Sequence, residues 1–111
     1  MSAAPLLGEF EQIVLLAILR LDDEAYGVTI RDEIAGCTDR DPSPGALYTT
    51  LDRMEDKGLV TSRYGQATPQ RGGRAKRYFR VTAKGEAAVA SAQRSYQQLL
   101  KGLKLRGLSH A

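Results

Sequence analysis

The chain has 111 residues, of which 42% are hydrophobic and 26% charged, the balance of one globular domain with at most a short extension. Its single cysteine, Cys37, excludes an intrachain disulfide and favours a reducing compartment. The longest apolar run, residues 13–19, is too short to span a bilayer, and residues 1–5 lack the basic charge of a signal peptide. We therefore expect a cytoplasmic protein with no membrane partner.

The net charge of +3 hides a strong asymmetry along the chain. Residues 1–56 carry 12 acidic and 4 basic residues, whereas residues 57–111 carry 12 basic residues and one acidic residue. This pattern is typical of a chain whose second half faces nucleic acid or an anionic membrane. Two oppositely charged faces that only solvate the protein, or that pair across a dimer, would give the same counts.

A first helix is predicted from Gly8 to residue 21, with Glu9 and Glu11 at the positive end of its dipole. Residues 13–19 are apolar all round, although a surface helix of a small domain shows only an apolar stripe. We interpret one face as core and the other as a subunit interface. The alternative is a central helix covered by the rest of its own chain. The interface residues predicted here are Phe10, Val14 and Ile18.

A second helix is predicted over residues 27–37, after an acidic turn at residues 22–24 and the sequence Ala25-Tyr26-Gly27. Its inward-facing residues are expected to be Val28, Ile30 (or Thr29), Ile34 and Cys37. Cys37 is thus interpreted as a small core residue and not as a nucleophile.

Residues 43–57 predict a third helix with signals at both ends. Ser43 can accept from a free N–H of the first turn, Pro44 suits the first helical position, and Gly58 suits the residue after the last turn. The buried face is expected to hold Leu47, Leu51 and Met54. The opposite face begins with small and polar residues, and its acids come only from residue 52 onwards. Such a leading end can approach a large anion.

Two strands are predicted at residues 59–64 and 75–81, joined by a turn-rich stretch with Gly72 and Gly73 at its tip. From residue 63 to residue 80 there are six basic residues and no acid. These are Arg63, Arg71, Arg74, Lys76, Arg77 and Arg80.

A final helix is predicted over residues 83–106, capped by Thr82. Apolar residues recur along it at alternating spacings of three and four, the pattern of a coiled-coil seam. The seam residues are Val89, Ala92, Tyr96, Leu99 and Leu103. Docking onto its own domain would also explain the pattern, but the over-hydrophobic first helix favours a dimer in which both helices take part.

Nothing in the sequence favours catalysis. The single histidine, His110, lies beside the carboxyl terminus, and no Cys/His cluster has metal-ligand spacing. Gly72-Gly73 lies between strands and lacks the remaining residues of a phosphate-binding loop. We expect no metal, no cofactor and no enzyme activity.

The order helix, helix, helix, strand, basic loop, strand, helix describes a winged helix-turn-helix, mainly α with a small β-hairpin. Residues 8–82 would form the DNA-binding domain and residues 83–106 the dimerisation helix. From the third helix, the predicted DNA contacts are Ser43, Gly45, Tyr48, Thr49, Thr50 and Arg53. From the wing, residues 65–76, and the strand that follows it, they are Arg71, Gly72, Gly73, Arg74, Lys76 and Arg77. The alternatives are half-buried packing for Tyr48, a solvated position for Thr49 or Thr50, and a solvated loop for the wing.

Four stretches resemble the PadR family of bacterial transcriptional regulators. They are Gly8-Glu9-Phe10-Glu11, Ala25-Tyr26-Gly27, residues 45–60 from Gly-Ala-Leu-Tyr to Gly-Leu-Val, and residues 71–85 from Arg-Gly-Gly-Arg to Thr-Ala-Lys-Gly. The resemblance implies a homodimeric winged-helix repressor of phenolic-stress, multidrug-efflux or related transport genes. The chain has no tryptophan for an aromatic effector pocket at the dimer centre, so Phe10 and Tyr96 are the aromatic residues expected near that space.

The function predicted is therefore a homodimeric, sequence-specific repressor that binds an inverted-repeat operator in double-stranded DNA. The alternative from another class is a winged-helix adaptor that binds proteins and not DNA. An acidic or apolar third helix and an uncharged wing would mark the adaptor, and neither is present. A third hypothesis adds to the first a small-molecule effector bound between the dimer helices.

Overall fold

The computed structural model describes residues 7–65 and 75–107. Over these ranges the chain forms four α-helices and one antiparallel hairpin. The elements are α1 Glu9–Leu21, a 3-10 turn Asp22–Glu24, α2 Gly27–Cys37, α3 Pro44–Asp56, β1 Val60–Tyr64, β2 Arg77–Val81 and α4 Ala83–Leu100. The predicted fold class is confirmed, since a mainly helical body carries a small hairpin.

The predicted starts of α3 and α4 coincide with side-chain caps. The hydroxyl of Ser43 accepts from the N–H of Ala46 at 3.1 Å, and the hydroxyl of Thr82 accepts from the N–H of Gly85 at 3.0 Å. After α3, Gly58 has φ of 77°, a left-handed conformation that glycine adopts without a steric penalty.

One apolar core lies where α1, α2 and α3 meet the hairpin and the start of α4. Its most deeply buried side chains are Val14, Leu15, Ile18, Ile30, Ile34, Leu47, Leu51, Met54, Leu59, Val60, Phe79 and Val89. Each such side chain contributes about 1.5–3 kcal/mol by leaving water, which explains why the predicted apolar face of α3 lies in the core together with Ile30 and Ile34 of α2. No helix within the described ranges is both long and apolar enough to cross a membrane.

The hairpin is attached to the chain segment that precedes α2. The N–H of Phe79, in the middle of β2, donates to the carbonyl oxygen of Ala25 at 2.8 Å. Tyr26 forms an isolated β-bridge with Tyr78, and their rings meet edge to face with centroids 5.4 Å apart. These contacts place the hairpin beside the amino end of α2.

The carboxyl end of α3 is held by two lysines. The ammonium of Lys57, directly after α3, lies 2.9 Å from the buried carboxylate of Glu11 in α1. The ammonium of Lys84, in α4, donates to the carbonyl oxygen of Lys57 at 2.8 Å. The end of α3 is thereby tied to both α1 and α4.

Three sequence expectations are wrong. Cys37 is exposed on α2, and Val28 is 59% exposed, because only Ile30 and Ile34 of that helix reach the core. The last helix ends at Leu100 and not at residue 106. Gly102 lies just beyond it with φ of 77°, a backbone conformation that interrupts a helix.

Candidate nucleic-acid interface

The amino end of α3 presents an exposed surface without acidic groups. Ser43, Gly45 and Thr49 are exposed there, and Arg53 is exposed one turn further along the helix. A β-carbon built on Gly45 meets no atom within 4 Å, so the backbone is open to close approach at this point. A helix amino end of this kind favours anions, because its first N–H groups and its dipole carry positive charge.

Two of the predicted contacts on α3 turn away from this surface. Thr50 is only 8% exposed and faces the core, which corrects its assignment to DNA. Tyr48 is half-buried, with its ring centroid 6.4 Å from that of Phe79. A β-carbon at Gly27 would lie 2.2 Å from the hydroxyl oxygen of Tyr48. Tyr48 therefore packs between α2 and β2 and shows only part of its ring to solvent.

The wing residues Arg71, Gly72, Gly73 and Arg74 lie outside the described ranges. At the described base of the wing, Lys76 lies against the ring of Tyr26, with its nitrogen 4.3 Å from the centroid. Arg63 lies over the ring of Tyr78 at 4.8 Å. Each of these cations is thus held by an aromatic face, a contact that leaves its charge available.

Sequence reasoning did not assign Arg63 to the interface. Its position became apparent only with the strand register, in which Arg63 is paired with Tyr78 across the hairpin. The alternation of side chains along the strand then places Arg63 and Tyr78 on the same face. The sequence does show an arginine in one predicted strand and an aromatic residue in the other. It does not show that the two strands pair in the register that places Arg63 opposite Tyr78.

Arg77 differs from the other predicted contacts because it is paired with carboxylates. Its guanidinium lies 3.0 Å from Asp52 and 2.7 Å from Glu55. Burial acts to lower the pKa of Arg77, but hydrogen bonds to Asp52 and Glu55 outweigh it, so the pKa is raised and the charge is permanent. In the structure the Arg77 side chain contacts α3, and its predicted contact with DNA stays a prediction.

An open groove of about 650 Å³ lies beside the base of the wing. Its other side is formed by the start of α2 and by Tyr48 of α3. Its lining residues are Tyr26, Gly27, Val28, Tyr48, Tyr64, Ala75, Lys76 and Arg77. Three tyrosine rings and a lysine in one groove combine aromatic faces with positive charge, a composition suited to a nucleic-acid backbone.

The predicted dimer residues divide between the core and the surface. Val14 and Ile18 are 0% and 2% exposed in the core of their own chain, so their assignment to a subunit interface is corrected. Val89 is also buried in the core, and Ala92 and Phe10 are half-buried. The residues that remain at the surface are Tyr96, Leu99 and Leu103, which are 50%, 75% and 58% exposed.

Sequence analysis did not name the exposed residues of α1. Leu16 and Leu19 are both 39% exposed, on the face that α1 turns away from the core. Leu16 and Leu19 on α1 and Tyr96 and Leu99 on α4 are exposed apolar residues of two helices that pack against each other, and we call these four residues the apolar α1–α4 surface.

Two consecutive helices, a third helix with an open amino end and a hairpin beside it form a winged helix-turn-helix, which is a class of DNA-binding domain. A profile of the "Transcriptional regulator PadR-like family" matches residues 15–91, more than half of the chain. The chain belongs to the PadR-like family of transcriptional regulators. Membership implies regulation of transcription through DNA binding.

The chain is similar to known transcriptional regulators both in sequence and in fold. The chain is 36% identical over 89 residues to the transcriptional regulator Rv3488 of Mycobacterium tuberculosis, an alignment that covers 80% of this chain and 78% of that protein. A PadR family transcription regulator from Clostridium difficile R20291 superposes with a TM-score of 0.67 at 25% identity, covering 83% of this chain and 92% of that one. A PadR family regulator from Eggerthella lenta shares the fold, with a TM-score of 0.66 at 23% identity and coverage of 85% and 81%.

Proposed function

We propose that the chain is a homodimeric, sequence-specific repressor that reads an inverted-repeat operator upstream of transport or stress genes. The observation that carries the proposal is the exposed, acid-free amino end of α3 beside a hairpin whose base holds Arg63 and Lys76 on tyrosine rings. In this fold class the third helix enters the major groove with its amino end nearest the bases. Ser43, Gly45, Thr49 and Arg53 then face the DNA.

The wing supplies the second part of the DNA contact. Its basic residues Arg71, Arg74 and Lys76 neutralise phosphates beside the groove, and Gly72 and Gly73 allow the loop to follow the DNA surface. Arg63 adds a further cation at the wing base. Contacts of this kind position the protein, whereas α3 supplies the sequence preference.

The proposed dimer is supported by the apolar α1–α4 surface. Leu99 is 75% exposed and Tyr96 is 50% exposed on a helix that projects from the core, which is costly unless another surface covers them. A second copy that covers them presents two α3 helices to successive major grooves. The operator half-sites would then lie about 10 bp apart or at a multiple of that spacing. A small-molecule effector between the dimer helices stays a prediction.

DNA binding is tested by fluorescence anisotropy with the DNA upstream of the chain's own gene and a scrambled fragment. Gly45→Ala adds one methyl group to the exposed end of α3 where no protein atom lies within 4 Å. We expect it to keep or raise stability, by up to about 1 kcal/mol, and to weaken binding to the upstream fragment. Unchanged affinity would exclude a close approach of DNA at Gly45.

The wing is tested by a triple substitution of Arg71, Arg74 and Lys76 to glutamine. Loss of three phosphate contacts should reduce the slope of log affinity against log salt by about 3 and weaken binding to both fragments. If affinity and slope both stay at wild-type values, the wing does not contact phosphates.

The dimer is tested by sedimentation equilibrium of Leu99→Glu. We expect a monomer, because burial of a carboxylate in an apolar interface is unfavourable. Val28→Glu is the matched control, since Val28 is also an exposed apolar residue, at 59%, but lies on α2 away from the apolar α1–α4 surface. A dimer that survives Leu99→Glu would place the interface elsewhere.

A further inference from the structure

The guanidinium of Arg77 lies at the centre of a cluster that joins the hairpin to α3. Nη1 donates to Asp52 at 3.0 Å, Nη2 donates to Glu55 at 2.7 Å, and Nε donates to the hydroxyl of Ser62 at 3.2 Å. Glu55 also accepts from the N–H of Ser62 at 3.1 Å and from its hydroxyl at 2.9 Å. We call Asp52, Glu55, Ser62 and Arg77 the Arg77 cluster.

The cluster satisfies a backbone donor on the free edge of β1. Ser62 is paired with Phe79, and the N–H groups of both residues point outward from the hairpin. The N–H of Phe79 donates to Ala25, and the N–H of Ser62 donates to Glu55. A strand edge left open carries unpaired donors, so these two bonds fasten the hairpin along both edges.

Arg77 lies at the end of the β1–β2 pairing nearest the wing, so the cluster acts on the base of the wing. Arg77 is paired with Tyr64 in the last pair before the connecting segment, so its backbone forms one side of the wing base. The side chain is 22% exposed, and one face of the guanidinium lies 4.8 Å from the ring centroid of Phe79. Packing and hydrogen bonds therefore hold it in one orientation.

The charges in the cluster argue against a direct role for Arg77 on DNA. Two carboxylates surround one guanidinium, so a phosphate that approaches Arg77 also meets Asp52 and Glu55. Within the described ranges, Arg63 and Lys76 form no such ion pair and lie on tyrosine rings instead. The described part of the hairpin thus carries two cations on aromatic rings and two in ion pairs, Arg77 with α3 and Arg80 with Asp23 at 2.8 Å.

We propose that Arg77 is a positioning residue, which together with Asp52, Glu55 and Ser62 fixes the base of the wing at one angle to the recognition helix α3. The inference rests on the proposed DNA-binding function and adds to it a determinant that does not touch DNA. The base of the wing and α3 then engage the operator in one fixed orientation to each other. The cluster sets the angle between the base of the wing and α3, and affinity for the operator depends on that angle.

The first test compares Glu55→Ala with Asp56→Ala. Both substitutions remove one negative charge and introduce the same side chain near the carboxyl end of α3, but Asp56 is an exposed residue outside the cluster. If charge alone matters, both variants bind DNA more tightly. The cluster predicts that Glu55→Ala weakens binding to DNA and that Asp56→Ala does not. Glu55→Ala should bind the upstream fragment about five- to tenfold more weakly, as expected for lost charge-assisted hydrogen bonds, and Asp56→Ala should bind equally or up to about fivefold more tightly.

The second test is Arg77→Lys, which keeps the charge but cannot donate in three directions from one plane. A positioning role predicts a loss of operator affinity similar to that of Glu55→Ala. The slope of log affinity against log salt should stay within about 0.5 of the wild-type slope, because no phosphate contact is lost. Wild-type affinity in Arg77→Lys, or tighter binding by Glu55→Ala, would overturn the proposal.

A measurement without DNA separates this inference from the function on which it rests. Hydrogen exchange of the Ser62 amide should be about tenfold faster in Glu55→Ala than in the wild type, while the amides of α1 exchange at unchanged rates. An unchanged Ser62 rate would show that the cluster does not hold the hairpin. If the exchange result is as expected but the wild type binds neither DNA fragment, the proposed function fails, and the role of the cluster in DNA reading fails with it.

Discussion

Gly85 lies where the backbone of α4 crosses the carbonyl group of Leu59. A β-carbon at Gly85 would be 2.2 Å from that carbonyl oxygen and 2.9 Å from a methyl carbon of Val81. The carbonyl cannot easily retreat, because it accepts from the N–H of Thr82 at 3.0 Å and from its hydroxyl at 3.1 Å. Gly85→Ala therefore forces α4 away from the entry to β1 by about 1 Å to restore ordinary contact distances.

We expect Gly85→Ala to destabilise the protein, although a helix intrinsically favours alanine over glycine. Alanine in place of glycine stabilises a helix interior by about 0.5–1 kcal/mol. Against that gain stand an overpacking cost of about 1–3 kcal/mol and weakening of two hydrogen bonds worth about 0.5–1.5 kcal/mol each. We expect Gly85→Ala to lower the free energy of unfolding by about 2–4 kcal/mol, measured by urea titration at fixed protein concentration.

Gly36 provides the matched control. It also lies in a helix, near the end of α2, but a β-carbon there meets no atom within 4 Å. Gly36→Ala should raise the free energy of unfolding by about 0.5–1 kcal/mol in the same titration. The reasoning is refuted if Gly85→Ala proves as stable as the wild type, or if both variants shift in the same direction.

Three further substitutions test other parts of the structure. Gly27→Ala should displace the ring of Tyr48, lower the midpoint of urea unfolding and change the near-ultraviolet circular dichroism of the tyrosines, since its β-carbon would lie 2.2 Å from the Tyr48 hydroxyl. Burial acts to raise the pKa of Glu11, but the Gly8 N–H and Lys57 outweigh it and the net pKa lies below the ordinary 4.5. Its stabilising contribution is thus complete above pH 4.5 and disappears as the pH falls through the lowered pKa, so Glu11→Gln should flatten the acid limb of a stability–pH curve. Ser43→Asp keeps a helix cap, so stability should stay within about 0.5 kcal/mol, whereas binding to the upstream DNA should weaken because a carboxylate then faces phosphates.

The elements of the fold were predictable because their signals are local. The caps Ser43 and Thr82 and the terminal Gly58 identify their helix ends without knowledge of any distant contact. The extent of α4 is not predictable in this way, since the seam of apolar residues continues to Leu103 whereas the helix ends at Leu100. The spacing of apolar residues shows which face of a helix turns inward. It does not show where the helix ends, which here is just before Gly102.

The site was harder to predict because it depends on contacts between distant residues. The sequence groups Arg77 with the other basic residues near the wing, because Asp52 lies 25 residues earlier and only folding brings the two together. Val14 and Ile18 belong to a helix that is apolar on all sides, and periodicity does not say which side the rest of the chain covers. Thr50 is adjacent to the exposed Thr49, and a rotation of one residue around α3 turns it into the core.

The two lysines at the carboxyl end of α3 make that end a pivot. Lys57 joins it to α1 and Lys84 joins it to α4, whereas the amino end of α3 keeps Ser43 and Gly45 exposed. The helix has 13 residues and is therefore about 20 Å long. A rotation of about 5° at the pivot moves Ser43 by about 1.7 Å over that length, more than half the length of a hydrogen bond. Small rearrangements among the helices that carry the apolar α1–α4 surface would thus be magnified at the amino end of α3, the end that the proposed function places nearest the DNA.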